Sequence, residues 1–118
     1  MTDTAVQGIL SGFAATAPNA SQVLAAMVAT RKAQIRSVAC YCQGSSGGTP
    51  TVIDIQNNGV SCYTNPADRP TLAGGQTGKF TSVSPNHRAV RLGDIISLVC
   101  AQAGGHAGVI ATVAIEEP

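Results

Sequence analysis

The chain has no tryptophan and only four other aromatic residues, two tyrosines and two phenylalanines, among its 118 residues. Large aromatic side chains bury roughly 150–250 Å² each, so a core of Val, Ile, Leu and Ala buries less area per residue. A chain of this length forms one domain. Because small domains with thin cores are often completed by contacts between copies, we expect this protein to oligomerise.

Charge is also scarce: charged residues make up 11% of the chain and the formal net charge is +1. Nucleic-acid-binding proteins usually carry a basic patch or stripe, so we expect no nucleic-acid partner. No apolar run approaches the ~20 residues of a membrane-spanning helix, and residues 1–21 lack the Lys or Arg of a secretory signal. The sequence therefore predicts a soluble protein made in the cytoplasm, with no membrane contact.

Catalytic and metal-binding patterns are missing as well. No serine lies in the strand–turn–helix setting of a nucleophile elbow, and no glycine-rich loop precedes a helix. Asp54 lies on an alternating strand, where a carboxylate is expected to face solvent. His87 and His106 lie in loops with Gly or Pro, where we expect solvated rings rather than zinc ligands. We therefore predict a protein that is not an enzyme, with no catalytic residues, no cofactor and no metal.

Four cysteines occur, Cys40, Cys42, Cys62 and Cys100. The spacing of the first two differs from the C-x-x-C pairs of redox and zinc sites. Since cysteines in apolar runs usually behave as small buried hydrophobes, we expect buried thiols. A structural disulfide and a metal site remain alternatives.

The clearest structural signal is Thr51–Thr64, TVIDIQNNGVSCYT. Thr51, Ile53 and Ile55 alternate with polar or smaller residues, as in a strand with one buried face. An Asn-Gly pair tolerates the positive φ angles of a type I′ turn. We predict a β-hairpin that turns at Asn58-Gly59.

Further strands are predicted on both sides of this hairpin. Residues 22–29 fit a strand or a helix, and the strand is favoured because residues 34–43 follow as another, with Ile35 and Val38 on opposite faces. A short edge strand is expected within 78–83, a central apolar strand at 95–101 and a last strand at 109–115. Short strands with frequent turn signals predict an all-β, antiparallel β-sandwich.

The order of these motifs resembles small virion proteins of tailed bacteriophages. The resemblance rests on Val52–Thr64, Arg69–Gly75, Arg91–Gln102 and Gly108–Ile115, and covers roughly residues 22–118. It implies a jelly-roll-like sandwich domain at 22–118, preceded by an extended N-terminal arm at 1–21. The cysteines and the first twenty or so residues depart from the pattern.

The resemblance also implies a function and a location. It indicates a capsid decoration, or cement, protein on the capsid surface of the virion, a homotrimer whose partner is the major capsid protein. A receptor- or carbohydrate-binding module of a head or tail fibre is the first alternative, and an adhesin-like or assembly module unrelated to phages is the second. Exposed loops and the arm are the expected contact regions. The candidate contact residues are Ile9, Leu10, Phe13, Arg31, Lys32, Arg69, His87 and Arg88.

Overall fold

Antiparallel strands in two facing sheets build the protein in the computed structural model, which describes residues 6–45, 48–74, 80–82 and 85–116. Twelve strands lie within these ranges. They are β1 (Val6–Ala14), β2 (Val23–Val28), β3 (Ala33–Tyr41), β4 (Gly44–Ser45), β5 (Thr51–Asn57), β6 (Val60–Ser61), β7 (Thr71–Leu72), β8 (Phe80–Ser82), β9 (Ala89–Val90), β10 (Ile95–Gln102), β11 (His106–Ala107) and β12 (Val109–Glu116). A 3-10 turn, Pro66–Asp68, separates β6 from β7.

The strand order defines the two layers. Sheet 1 runs β1-β12-β3-β8, with β9 also paired to β3, and sheet 2 runs β2-β10-β5-β6, with β7 also paired to β5. The pair β4–β11 forms a small third sheet. The predicted all-β, antiparallel sandwich is confirmed, as are the strand at 22–29 and the central position of β10. No helix in the described part of the chain is long and apolar enough to span a membrane.

The core lies between the two sheets and is almost entirely aliphatic. Alternate residues of β12, from Val109 to Ile115, face the core, and the residues between them are half-buried on the outer side. From sheet 2, Ile53, Ile55 and Leu98 are fully buried against them. Tyr63 contributes an aromatic side chain to this core. The thin core expected from the composition is therefore present.

The predicted hairpin is confirmed. β5 pairs with β6 through Gln56 with Ser61 and Asn57 with Val60. The φ angles of Asn58 and Gly59 are +53° and +83°, as a type I′ turn requires.

The predicted alternation along residues 34–43 is wrong in one place. Ile35 and Val38 were expected on opposite faces, yet both side chains are fully buried. The pairing of β3 with β12 shifts register between Ser37 and Ile35, which leaves the exposed Arg36 as an extra residue. A β-bulge of this kind lets residues three apart face the same side.

The solvent-facing position expected for Asp54 is also wrong, since only 1% of it is exposed. The Ser61 hydroxyl donates to its Oδ1 at 2.7 Å and the Gln56 amide donates to its Oδ2 at 3.3 Å. After β6 the chain returns across this face and brings Nε of Arg69 to 3.3 Å from Oδ1. Asp54 is buried because it has these partners, as a buried carboxylate requires.

The two histidines differ. His87 is exposed, as expected, and its Nε2 lies 3.2 Å from the hydroxyl of Thr64. His106 was expected to be solvated but is completely buried. Its Nε2 lies 2.8 Å from the carbonyl oxygen of Ala73 and its Nδ1 lies 2.6 Å from the hydroxyl of Thr51. Because a carbonyl only accepts, Nε2 carries the proton and the ring joins three segments.

All four cysteines are buried and none forms a disulfide, which confirms the expected buried thiols. Burial raises the pKa of Cys40 to about 12, with a smaller contribution from Cys42. Burial also raises the pKa of Cys62 to about 11, helped by the charge of Asp54. These environments favour unreactive thiols.

Strand β1 lies within the predicted N-terminal arm. It pairs with β12 from Val6 to Ala14, and from Gly8 to Ala14 its residues alternate between exposed and covered positions. At Gly12 the strand approaches sheet 2, because a Cβ atom there would lie 2.7 Å from the carbonyl oxygen of Leu24. The division into an arm at 1–21 and a domain at 22–118 stays a prediction, and residues 1–5 lie outside the described residues.

The contact between β1 and β2 makes Gly12 a test of the packing. We expect Gly12→Ala to lower the free energy of unfolding by about 1–3 kcal/mol, because the added methyl group meets the Leu24 backbone. Gly8→Ala is the matched control, since a Cβ atom at Gly8 has no neighbour within 4 Å. Urea unfolding of both variants measures the difference. Equal stability of the two variants would contradict the close approach.

The buried thiols give a second test, by reaction with a thiol reagent at pH 8. With a pKa of about 12, roughly 1 in 10⁴ of the Cys40 side chains is a thiolate at that pH. We therefore expect slow labelling of the native protein and rapid labelling of all four cysteines in denaturant. Rapid labelling of Cys40 in the native state would contradict its burial.

Candidate functional site

Two basic segments far apart in the sequence meet at one end of the sandwich. The turn between β2 and β3 carries Arg31 and Lys32, and β3 then begins beside β9. The backbone amide of Ile35 donates to the carbonyl of Arg88 at 2.8 Å, which holds the two segments side by side. The turn after β9 is attached to the same place, because the amide of Gly93 donates to the carbonyl of Ala29 at 2.8 Å.

This end, called the charged end below, holds five of the seven lysines and arginines of the chain. They are Arg31, Lys32, Arg36, Arg88 and Arg91. The acidic residues described there are Asp94 and Glu116. Glu116 lies 3.7 Å from Arg36, in an ion pair whose arginine is exposed and whose carboxylate is half-buried. Because Asp94 is engaged by its own neighbours, the end has a surplus of positive charge.

Exposed apolar side chains accompany these charges. Leu92 is 71% exposed, and Val28, Val60 and Ile95 are each at least half exposed. Single exposed hydrophobic residues are ordinary, but a cluster beside charged groups is typical of a protein-binding surface. The charged end is therefore an amphipathic surface.

Asp94 fixes the shape of this end. Its carboxylate accepts from the backbone amide of Arg91 at 2.9 Å and from the side-chain amides of Asn57 at 3.0 Å and Asn58 at 3.1 Å. In return the amide of Ile95 donates to the side-chain oxygen of Asn58 at 2.9 Å. The hydrogen bond from Arg91 contributes most to lowering the pKa of Asp94, followed by the bond from Asn57. The network ties the hairpin turn to the turn before β10.

An open groove of about 780 Å³ runs beside the network, between the hairpin tip and the segment before β9. Its floor and walls include Asn57, Ser61 and Cys62 from the hairpin. His87 and Arg88 line its other side. The groove is therefore lined by both polar and apolar groups, and its charged residues are Arg88, Arg91 and Asp94.

The structure brings together four of the residues predicted from sequence as contacts. Arg31, Lys32, His87 and Arg88 all lie at the charged end, on exposed turns. The Nε atom of Arg88 donates to the carbonyl of Pro85 at 3.1 Å, which steadies its side chain.

The other four predicted residues lie elsewhere. Ile9 and Phe13 are 67% and 58% exposed on the outer face of sheet 1, whereas Leu10 packs against the core. Arg69 forms the ion pair with the buried Asp54, so its charge serves the fold.

Sequence reasoning missed Leu92 and Ile95 as surface residues. Leu92 lies between Arg91 and the turn Gly93-Asp94, where Gly93 has a φ of +91°. An apolar residue inside a tight turn has no strand neighbours to cover it, and this signal could have identified Leu92.

The opposite end of the sandwich carries no charge among the described residues. Asp, Glu, Lys and Arg are absent from 4–30, 37–53 and 95–115, which supply most of its loops. The fold thus separates a charged end from an uncharged end. Within the described ranges, no three His, Cys, Asp or Glu side chains are grouped as a metal site would need.

The Asp94 network predicts a pH-dependent loss of stability. Because the folded-state pKa of Asp94 is lowered, its contribution is complete above the unfolded pKa of about 3.8 and is lost as the pH falls through the folded value. Asp94→Asn cannot accept from both asparagine side chains, so we expect it to melt at a lower temperature than wild type at pH 7. The difference should shrink below pH 3.8. Thermal melts across this range measure it, and a constant difference would contradict the role of the carboxylate.

Comparisons with known proteins identify the fold and no family. No protein-family model matches the chain. No curated protein matches it either. Among solved structures, the chain is similar to one in a structure described as the capsid of Ralstonia phage GP4, with a TM-score of 0.53 and 14% identity. The alignment covers 99% of this chain and 88% of that chain. The protein therefore shares its fold with a chain of a phage capsid.

Proposed function

We propose that the protein is a structural component of a tailed-phage virion, and specifically a decoration, or cement, protein on the outer surface of the head. The observation that carries the proposal is the fold match to a chain of a phage capsid over 99% of this chain. Because the alignment also spans 88% of that chain, the two chains are similar in length. The similarity thus extends over most of both chains.

The charged end is the surface that this function would use to bind the shell. Its five basic residues suit an acidic patch on the major capsid protein, and its exposed Leu92 and Ile95 supply apolar area for the same contact. Opposite charges steer and orient association, while buried apolar area provides much of the affinity. The sandwich would then stand with its strands pointing away from the shell and its uncharged end outermost.

Such a contact is sufficient on a repeating surface. The face of one sandwich end is small, so each copy forms a modest interface. A copy that contacts two neighbouring capsomers links them, because the second contact forms at a high effective concentration. The protein would stabilise the shell in this way without chemistry. The homotrimer expected from the resemblance stays a prediction.

Cryo-electron microscopy of the phage that encodes this chain is the direct test. We expect sandwich-shaped density between capsomers on the outside of the head, with the charged end against the shell. Density confined to the tail or to a distal fibre would reject the decoration function in favour of the receptor-binding alternative. Absence of the protein from the particle would reject a virion role altogether.

Removing charge from the charged end tests the docking surface. We expect the double variant Lys32→Gln/Arg91→Gln to bind heads that lack the protein about 5- to 30-fold more weakly, if each exposed ion pair contributes roughly 0.5–1 kcal/mol. The backbone hydrogen bond from Arg91 to Asp94 is retained in this variant. Raising the salt concentration should weaken wild-type binding in the same direction.

The matched control changes the net charge by the same amount at the other end. Thr16→Glu/Ala20→Glu adds two negative charges at exposed positions between β1 and β2. We expect it to bind heads as wild type does. Equal weakening by both double variants would show that net charge matters and the charged end does not. Co-sedimentation of labelled protein with heads measures all three affinities.

A further inference from the structure

The outer face of sheet 1 is a second surface without an assigned role. Nine side chains on three neighbouring strands point away from the core there, because directly opposed residues in antiparallel strands share a face. The register places them in three rows across β1, β12 and β3. The rows, called the large, middle and small rows below, are Phe13–Ile110–Tyr41, Ser11–Thr112–Ala39 and Ile9–Ala114–Ser37.

None of the nine side chains is charged, so a partner that covers this face buries no charge of theirs. Arg36 and Glu116 lie beyond its small row, towards the charged end. The hydroxyls of Ser11 and Thr112 are 3.1 Å apart and form a hydrogen bond, so one of the two hydroxyl protons stays paired when the face is covered. Phe13 and Ile9 are more than half exposed. Water contact at these two residues is unfavourable and would be relieved by a partner.

The sizes of the side chains identify the partner. Consider a twofold axis that lies between two facing sheets, follows the middle row and is perpendicular to the strands. This axis places the large row of one copy against the small row of the other. Phe13 then faces Ile9, Ile110 faces Ala114 and Tyr41 faces Ser37 of the second copy. In two of these three pairs, Ile110 with Ala114 and Tyr41 with Ser37, a large side chain meets a small one, which allows the two sheets to interdigitate at a spacing of about 10 Å.

The other twofold arrangement fits less well. An axis parallel to the strands places large row on large row and small row on small row, which forces the sheets apart at one end. It also brings the two copies of Glu116 together, and like charges that approach each other are unfavourable. The first arrangement avoids both problems, since Arg36 and Glu116 extend past the partner's large row.

We propose that the outer face of sheet 1 binds a second copy of this chain, face to face, about a twofold axis through Ser11, Thr112 and Ala39. Nine side chains are fewer than the 20–30 residues per partner of a stable interface, so the pair is weak. A dissociation constant between about 10 µM and 1 mM is expected for such a contact. The proposal does not depend on the docking function of the charged end.

A charge-swap experiment on β12 tests this arrangement. Residues 110 and 114 are four apart on one strand, about 13 Å, so new charges there do not pair within a chain. In the proposed dimer they face each other across the axis. Ile110→Lys alone and Ala114→Glu alone should weaken self-association at least about 10-fold, because each buries an unpaired charge. The double variant Ile110→Lys/Ala114→Glu should recover most of it, through two intermolecular ion pairs.

Sedimentation equilibrium from about 20 µM to about 1 mM measures the association of each variant. Val23→Lys is the control, since Val23 is 56% exposed on sheet 2 and should leave association unchanged. Wild-type protein that remains monomeric at 1 mM would overturn the proposal. A trimer would overturn it as well, because a twofold contact through one face closes at two copies.

Two further outcomes are decisive. Failure of the double variant to associate, with both single variants disrupted and all three folded by circular dichroism, would reject this axis. If a variant does not fold, methyl NMR of the wild-type protein replaces the charge-swap experiment. Concentration-dependent shifts at Ile110 and Thr112, with none at Val23, would support the interface. Uniform or absent shifts would overturn it.

Discussion

The pairing of β12 between β1 and β3 is the interaction on which the rest of the structure depends. This strand comes last among the described elements, yet it occupies the middle of sheet 1. Alternate residues from Val109 to Ile115 complete the core, and the residues between them form the centre of the outer face of sheet 1, called the uncharged face below. Sheet 1 cannot form until nearly the whole chain is available. Such non-local pairing is costly in loop-closure entropy and typical of slowly folding β-proteins.

The thin core explains how charge is distributed in this molecule. With small aliphatic side chains inside, the sheets leave little room for polar groups. Asp54, the one buried carboxylate of the described residues, is engaged by Ser61, Gln56 and Arg69. The long loops at one end contain Gly, Ser, Ala and Pro without charge. Five of the seven lysines and arginines lie at the other end, in its turns and near the start of β3. A difference between the two ends is a physical basis for binding a surface in one orientation.

Local signals in the sequence predicted much of the fold and only part of the candidate site. The Asn-Gly turn, the apolar run of β10 and the buried thiols were predictable because each depends on residues that are neighbours in sequence. The burial of Ile35 beside Val38 was not, since it depends on a bulge at Arg36 that only the pairing with β12 creates. The partners of Asp54 and His106 come from other strands or loops, so a residue type and its immediate neighbours could not predict their burial.

The two proposed binding surfaces could not be predicted from local sequence either. Arg31 and Lys32 were predicted contacts next to each other in sequence, but their proximity to Arg88 and Arg91 follows from the ladder between β3 and β9. The uncharged face is likewise assembled from strands far apart in sequence, β1 and β3 within residues 6–41 and β12 at 109–116. Phe13, Ile110 and Tyr41 form a row only because the strands pair in this register. The row contains two of the chain's four aromatic residues.

The two proposed contacts constrain each other geometrically. The charged end lies at one end of the strands, and the uncharged face lies along them. A twofold axis perpendicular to the strands directs the charged ends of the two copies in opposite directions. When one copy of such a pair rests on a shell, the charged end of the other therefore points away from it. Pairing through the uncharged face and docking of both copies on the same shell exclude each other. Copies that lie side by side on a particle must then meet through other surfaces. The pair forms either between two free copies or between one docked copy and one free copy.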